Sequence, residues 1–351
     1  MYSEEHGLPD YAIFGIIEDA GSNLWISTLN GLIEFDPVWQ TDIAYFIYGI
    51  VIILLIYILS QYRTKSLRKA NLILTEKEIA SKEVERQRRE LSIKNKSITS
   101  SIQYARKIQE ALLPSDQLFK KLLPDSFILF KPKDIVSGDF YWITERNNKV
   151  FVSAVDCTGH GVPGAFMSLI GFDILGNIIK VQGVEKPSEI LNILSMGIEN
   201  TFHREEEDYL LKDGMDLSFC VIDCEKRQLE YAGAFNPLYL IRDNKLIETR
   251  ADRFSIGLKH ELHEQNQFTN HSISLEKGDM IYLFSDGYPD QFGGPNGKKF
   301  MYRRFRHMLL TIHKLPLQEQ KDLLEESIEA WKGKNDQVDD MLVIGIRPLP
   351  Y

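Results

Sequence analysis

Cysteine is scarce in this chain of 351 residues: Cys157, Cys220 and Cys224 are the only three. They show no CxxC spacing, which argues against a disulfide framework or a thiolate zinc site and suits reduced thiols in a cytosolic domain. There is no GxxxxGK[ST] loop, so an NTP-driven kinase is not supported. His160 has neither the helical context nor the ATP-binding motifs of a histidine kinase. Positive charge is in deficit, with 41 Lys and Arg against 50 Asp and Glu, a net charge of −9. Binding to nucleic acid through phosphate neutralisation is therefore disfavoured. Low-complexity tracts are missing. So is any Lys or Arg before Arg63, any charge between Ile43 and Ser60, and any proline or glycine in residues 61–113.

The last three absences organise the first third of the chain. Ile43–Ser60 reads IAYFIYGIVIILLIYILS, an uncharged run suited to a membrane helix. Trp39, Tyr45, Tyr48 and Tyr62 sit near its ends, where amphipathic aromatics belong. A signal peptide fits less well, since no basic segment precedes the run and no small-residue cleavage site follows. Arg63, Lys65, Arg68 and Lys69 arrive together, which places the C-terminal side in the cytoplasm. The alternative is a buried soluble helix. Residues 61–113 then predict one long charged helix ended by Pro114. Val84, Leu91, Ile98, Ala105 and Leu112 recur every seven residues, with Ile102 and Ile108 beside them. This is a weak heptad seam, predicting a parallel dimeric coiled coil and hence a homodimer, or alternatively a single solvated helix. Before the apolar run, residues 1–40 hold short apolar stretches split by Gly21-Ser22-Asn23 and Asn30-Gly31, predicting about three short strands.

The rest of the chain is organised around KDIVSGDFYWITERNNKVFVSAVDCTGHG, residues 133–161. Phe140–Thr144 and Val150–Val155 flank a polar segment in which Asn147-Asn148 can adopt the positive φ of a tight hairpin turn. A hairpin centred there sets Arg146 opposite Lys149 and brings Asp139 and Asp156 side by side at its open end. Like charges so placed repel. A divalent cation would reverse the sign, and carboxylates with backbone carbonyls suit Mg²⁺ or Mn²⁺. The same design recurs downstream: Asp286 follows the apolar Met280–Phe284, and Asp339-Asp340 precede Met341–Arg347. Strands also fit LSFCVID and LEYAGA, with another from Asn236 to a turn at Asp243-Asn244. Helices fit 162–180, 187–202, 302–313 and 316–332, and HREEEDYLLKDG reads as a charged loop. Strands clustered between paired helices predict an α+β fold with antiparallel sheets.

Ser137-Gly138-Asp139-Phe140 followed by Asp156-Cys157-Thr158-Gly159-His160-Gly161-Val162-Pro163-Gly164-Ala165 resembles the first two motifs of the SpoIIE-type phosphatases. These are the bacterial signalling branch of the metal-dependent, protein phosphatase 2C-like serine/threonine phosphatases. The resemblance covers roughly residues 98–351, and SITSSIQYARKIQEALLP resembles the helix that enters this domain in membrane-bound relatives. It implies a four-layer αββα sandwich over 114–351 and hydrolysis of a phosphoserine or phosphothreonine by a metal-activated water, with two Mn²⁺ or Mg²⁺ ions. It implies that Asp156 bridges both metals, that the Cys157 backbone carbonyl accompanies it, and that Asp286 and Asp339 ligate the first metal. Asp139 matches a position holding a metal or its waters, and Asp340 a supporting one. Asp213 and Asp216 supply either an auxiliary metal site or a turn. His160 is displaced from the wider family's Asp-Gly-His-Gly, leaving two roles open, proton donor or helix cap. Lys131 and Lys133 either hold the substrate phosphate or are solvated, and Asn236 is a further candidate facing the site. The expected partner is a phosphorylated cytoplasmic regulator resembling an anti-sigma antagonist, with the enzyme single-pass in the bacterial inner membrane. Residues 1–40 resemble one repeat of the sensor β-propellers of two-component regulators. Two other readings remain open: a catalytically weak dimeric scaffold of the same fold, and a hydrolase of small phosphoesters.

Overall fold

The computed structural model describes residues 13–21, 23–28, 31–35, 41–202, 214–258 and 267–349. Of the charged loop expected over 203–214, residues 203–213, Asp213 included, lie outside them, as do Ser22, Asn30 and Trp39. Packing divides the chain into two units, Met1–Ile93 and Lys94–Tyr351.

The first unit begins with an antiparallel meander of β1 (Ile13–Glu18), β2 (Leu24–Thr28) and β3 (Gly31–Phe35). Asp19 organises its first turn. Its Oδ1 accepts from the Gly21 and Asn23 amides and its Oδ2 from the Trp25 indole. All of β1 is exposed, including Phe14, Ile16 and Ile17. A single helix, α1 (Asp42–Leu112), then contains both the uncharged run and the charged linker. Its apolar stretch is long and apolar enough to cross a membrane and is not buried by protein. Val84 and Leu91 are exposed.

The second unit contains the end of α1 and then α2 (Asp116–Leu122), β4 (Ser126–Lys131), β5 (Phe140–Arg146) and β6 (Lys149–Cys157). Next come α3 (Gly161–Gly176), which continues as a π-helical turn Asn177–Gln182, and α4 (Pro187–Phe202). They are followed by β7 (Met215–Asp223), β8 (Gln228–Ala234), β9 (Leu238–Arg242), β10 (Lys245–Thr249), β11 (His271–Ser274) and β12 (Met280–Phe284). The chain then forms the short α5 (Gly287–Asp290), the hairpin β13 (Phe292–Gly293) and β14 (Lys298–Lys299), α6 (Tyr302–Ile312), α7 (Leu317–Lys332) and β15 (Met341–Ile346).

Two five-stranded sheets form, ordered β11-β8-β7-β6-β5 and β10-β9-β12-β15-β4, with every pairing antiparallel. The expected hairpin register holds, with Arg146 opposite Lys149 and Phe140 opposite Val155. Asn147 and Asn148 both take positive φ, 50° and 62°, as does the Asp243-Asn244 turn. Three apolar layers separate four structural ones. Phe151, Val155 and Phe219 pack under α3 and α4 with Leu175, Ile190 and Leu194. Val152, Ala154 and Cys220 face Leu240, Leu283 and Ile344 between the sheets. Tyr239, Tyr282 and Phe284 pack beneath α6 and α7 with Phe305, Leu324 and Ile328. Strands covered on both faces need apolar residues at nearly every position, which is why they read as continuous runs rather than alternating ones. The result is the αββα sandwich. The apolar Gly161–Gln182 stretch also has the length and composition of a membrane span, but Leu175, Ile178 and Ile179 bury it in the core.

Candidate active site at an acidic rim

The sheets deliver their aspartates to one end. Asp139 immediately precedes β5, and Asp156 is the penultimate residue of β6. Asp216 of β7 lies directly opposite Asp156 in the ladder. Asp286 follows β12 by two residues and Asp339 precedes β15 by two. These last strands are neighbours, and the Ser285 amide donates to the Leu342 carbonyl.

Burial and mutual repulsion act together on these groups. Asp139 is buried, and its carboxyl is held well above the usual carboxylate range by desolvation and then by the Asp156 charge. Ser285 offsets part of this. Asp139 Oδ2 is buried with no hydrogen-bond partner. Asp156 is likewise pushed up by desolvation, then by Asp286, Asp339 and Asp216. Asp286 rises to about 6, through desolvation first and Asp290 and Asp339 next. Asp339 and Asp216 are raised chiefly by desolvation. Among the described residues, no three His, Cys, Asp or Glu side chains close on one point as a ready-made metal cage. The carboxylates instead sense one another across the rim. An unpaired buried carboxylate oxygen amid oxygen-only donors is the chemistry a hard divalent cation satisfies, so these residues fit such an ion.

Asp340 does something different from its neighbour. Its carboxylate accepts from the Lys133 amide and the Gly138 amide, 2.7 Å each, and so pins the loop that carries Asp139. Two close approaches depend on glycine. A Cβ on Gly138 would lie 2.5 Å from the Gly159 carbonyl, and one on Gly287 1.9 Å from the Asp340 carbonyl. The motif glycines thus let the aspartate-bearing loops stack. The Cys157 thiol is buried and raised far above its ordinary value by desolvation and the surrounding carboxylates, so it is inert as a nucleophile.

Other candidates sort differently. Lys131 is taken up by Glu325 and Glu329 of α7, at 2.9 and 2.8 Å. This removes it as a phosphate ligand. Lys133 stays near the rim, where its charge lowers Asp339. His160 occupies the N-cap position of α3 but its ring makes no cap bond, so the capping role is excluded. Instead Nδ1 lies 2.7 Å from Asp134 Oδ2, and its charge, like that of Lys133, bears on Asp339. Asp216 accepts from the Ser255 hydroxyl. Asn236 is buried with Nδ2 unpartnered. Asp213 lies outside the described residues.

The family model for Stage II sporulation protein E (SpoIIE) matches residues 146–348. The chain belongs to the SpoIIE family. Its second unit is a protein phosphatase 2C-type domain, a relationship carried also by the SiaA-PP2C domain of Pseudomonas aeruginosa. That structure is 33% identical, with a TM-score of 0.65, covering 72% of this chain and 98% of its own. The phosphoserine phosphatase RsbU of Bacillus subtilis (strain 168) is 27% identical over 194 residues, 54% of this chain and 53% of RsbU. The chain thus spans about half the length of this curated relative. The phosphatase domain of SpoIIE from Bacillus subtilis, with a fragment of its regulatory domain, is 21% identical with a TM-score of 0.52. The match covers 64% of this chain and 62% of that one, and shares the fold.

Three residues of this SpoIIE-family site escaped the sequence reading. Asp134 is an ordinary loop aspartate until the fold sets it against His160. Ser285 is hidden between the apolar run Met280–Phe284 and Asp286. Gln109, on the last turns of α1, is buried among neighbours that are mostly exposed. Its Nε2 donates to the Ser137 carbonyl at 2.7 Å and to Ser168 Oγ at 2.9 Å, and its Oε1 accepts from the Ser137 amide. The helix therefore grips the backbone two residues before Asp139. Ile102 and Ala105, two turns and one turn before Gln109, are half-buried on the same face. Ala105 so belongs to the docking face as well as to the heptad series, whereas Ile98, Ile108 and Leu112 stay exposed.

Proposed function

We propose that this protein is a membrane-tethered, metal-dependent protein phosphatase that hydrolyses a phosphoserine or phosphothreonine of a cytoplasmic signalling protein. One observation carries the reading: strand ends from both sheets bring Asp139, Asp156, Asp286 and Asp339 to one rim, where a buried carboxylate oxygen has no partner. Asp156, Asp286, Asp339 and Asp139, with the Cys157 carbonyl, would hold two Mn²⁺ or Mg²⁺ ions, and Asp216 is placed to assist. When bound, such ions supply a water of lowered pKa and polarise the phosphoryl oxygens. Asp340 keeps the Asp139 loop in place through its two amide contacts. Asp134 orients His160 through Nδ1 and leaves Nε2 to hand a proton to the departing serine or threonine oxygen. Lys133 gives the rim a cation for the incoming phosphate. The buried Cys157 thiol takes no part, so no phosphoenzyme is required.

The names of the relatives support a phosphoprotein substrate, and the SpoIIE kinship supports a regulator resembling an anti-sigma antagonist. The uncharged run before Arg63 supports a single membrane pass with the phosphatase unit in the cytoplasm. The exposed Val84, Leu91 and Ile98 support pairing of two linkers into a homodimer, and the β1–β3 meander supports kinship to one propeller blade. The test is Mn²⁺-dependent turnover of a phosphoserine peptide beside a small aryl phosphate, with Asp156→Ala in parallel. The reading expects efficient, EDTA-sensitive peptide hydrolysis lost in the variant. Efficient turnover of the aryl phosphate alone would make the protein a small-phosphoester hydrolase. An inactive wild type would leave the scaffold role.

A further inference from the structure

A groove of about 910 Å³ opens between the β13–β14 hairpin, the start of α6 and the end of α7. Lys298, Lys299, Arg303, Arg304 and His307 line it, and no acidic residue does. This stands out on a chain of net charge −9. The walls are firmly built. The Arg304 guanidinium lies 4.0 Å from the Trp331 ring centroid and 5.5 Å from that of Phe300. The Gly294 amide donates to the Trp331 carbonyl at 2.7 Å. A Cβ on Gly294 would lie 2.4 Å from the indole, so the hairpin can seat against Trp331 only with glycine there.

Through Lys299 the groove borders the acidic rim. Lys299 pairs with Asp290 at 2.6 Å, and the Asp290 amide donates to the Asp286 carbonyl. The Lys299 charge is felt at Asp286 itself. Lys298 and Arg303 are exposed and have no carboxylate within ion-pair distance among the described residues. Cations crowded without counter-charge repel one another, and an anionic occupant relieves that repulsion. A concave channel with an aromatic floor suits an extended polypeptide, which lays backbone on the rings and acidic side chains on the cations.

We propose that this groove docks an acidic segment of the protein substrate, next in sequence to the phosphorylated residue held at the rim. The inference rests on the phosphatase reading above. It assigns substrate choice to residues outside the SpoIIE motifs, on the hairpin and α6.

The test uses the full chain in detergent with Mn²⁺ and two phosphoserine peptides, one flanked by Asp and Glu, the other by Asn and Gln. The wild type should show a KM roughly tenfold lower for the acidic peptide. That preference should shrink at about 0.5 M salt and vanish in the Lys298→Glu/Arg303→Glu double variant. Lys245→Glu/Lys277→Glu, an equal charge change on exposed residues outside the groove, should keep it. Fluorescence anisotropy with the unphosphorylated acidic peptide measures docking without turnover. Binding that the double variant weakens supports the groove even if neither peptide is hydrolysed, in which case only the phosphatase reading falls. Equal KM values in the wild type, or a preference that survives the double variant, would overturn the proposal. So would groove-dependent binding to anionic lipid vesicles in place of the peptide.

Discussion

Replacing Asp286 by Asn should stabilise the metal-free protein while destroying its activity. The Asp286 carboxyl titrates at about 6 in the folded protein, against an ordinary value of 3.8. Burial is the main cause, followed by Asp290 and Asp339. A carboxyl raised in the folded state contributes stability below its unfolded value, about pH 4, and loses that contribution as pH rises through about 6. Roughly two units at about 1.4 kcal/mol each give about 3 kcal/mol as an upper figure. Partial exposure and coupling to neighbouring carboxylates reduce this to about 1–2 kcal/mol. Asparagine keeps the shape without the charge. Near neutral pH in EDTA, the variant should therefore melt about 3–6 °C higher than the wild type, with the difference fading below about pH 4. Near-ultraviolet circular dichroism on the full chain in detergent would follow the transition. Mn²⁺ should raise the melting temperature of the wild type more than that of the variant. A variant less stable than the wild type at every pH would refute the reasoning, because the carboxylate would then be a structural partner.

Other outcomes follow from the same geometry. Cys157→Ser should retain most activity in a Mn²⁺-dependent turnover assay, since the buried thiol is inert and the position is proposed to lend only its backbone carbonyl. Gln109→Ala removes every hydrogen bond that α1 makes to Ser137, leaving buried groups unsatisfied at a cost of about 1–3 kcal/mol. Turnover should fall, and hydrogen exchange should accelerate in residues 133–139. Inserting three or four residues within 85–97 should alter activity in membranes, whereas seven should preserve it by restoring the heptad phase. Indifference to every insertion would make the linker a passive tether.

The parts of this structure that were legible in sequence are those set by local chemistry. Asn147-Asn148 sets the hairpin turn, and the turn sets the register that draws Asp139 toward Asp156. The apolar runs before Asp286 and after Asp340 mark strands sheathed on both faces. The uncharged Ile43–Ser60 and the breaker-free 61–113 each predict a helix, and the two run on as one, α1. What escaped depends on long-range packing. His160 and Asp134 are separated by two strands, so no spacing rule joins them. Gln109 looks like any solvated position of a charged helix until α3 and the Ser137 loop close around it. Lys131 read as a phosphate candidate because its partners, Glu325 and Glu329, arrive nearly two hundred residues later. The β13–β14 hairpin is only two residues long on each side and has no periodicity to betray it.

Equilibrium binding of Mn²⁺, followed by the loss of the free-ion electron paramagnetic signal, tests the metal site at the rim most directly. The wild-type chain should take up two ions, and Asp156→Ala, which removes a carboxylate proposed to hold both, should lose tight binding of both. Failure of the wild type to bind Mn²⁺ or Mg²⁺, or undiminished uptake of two ions by Asp156→Ala, would contradict the account.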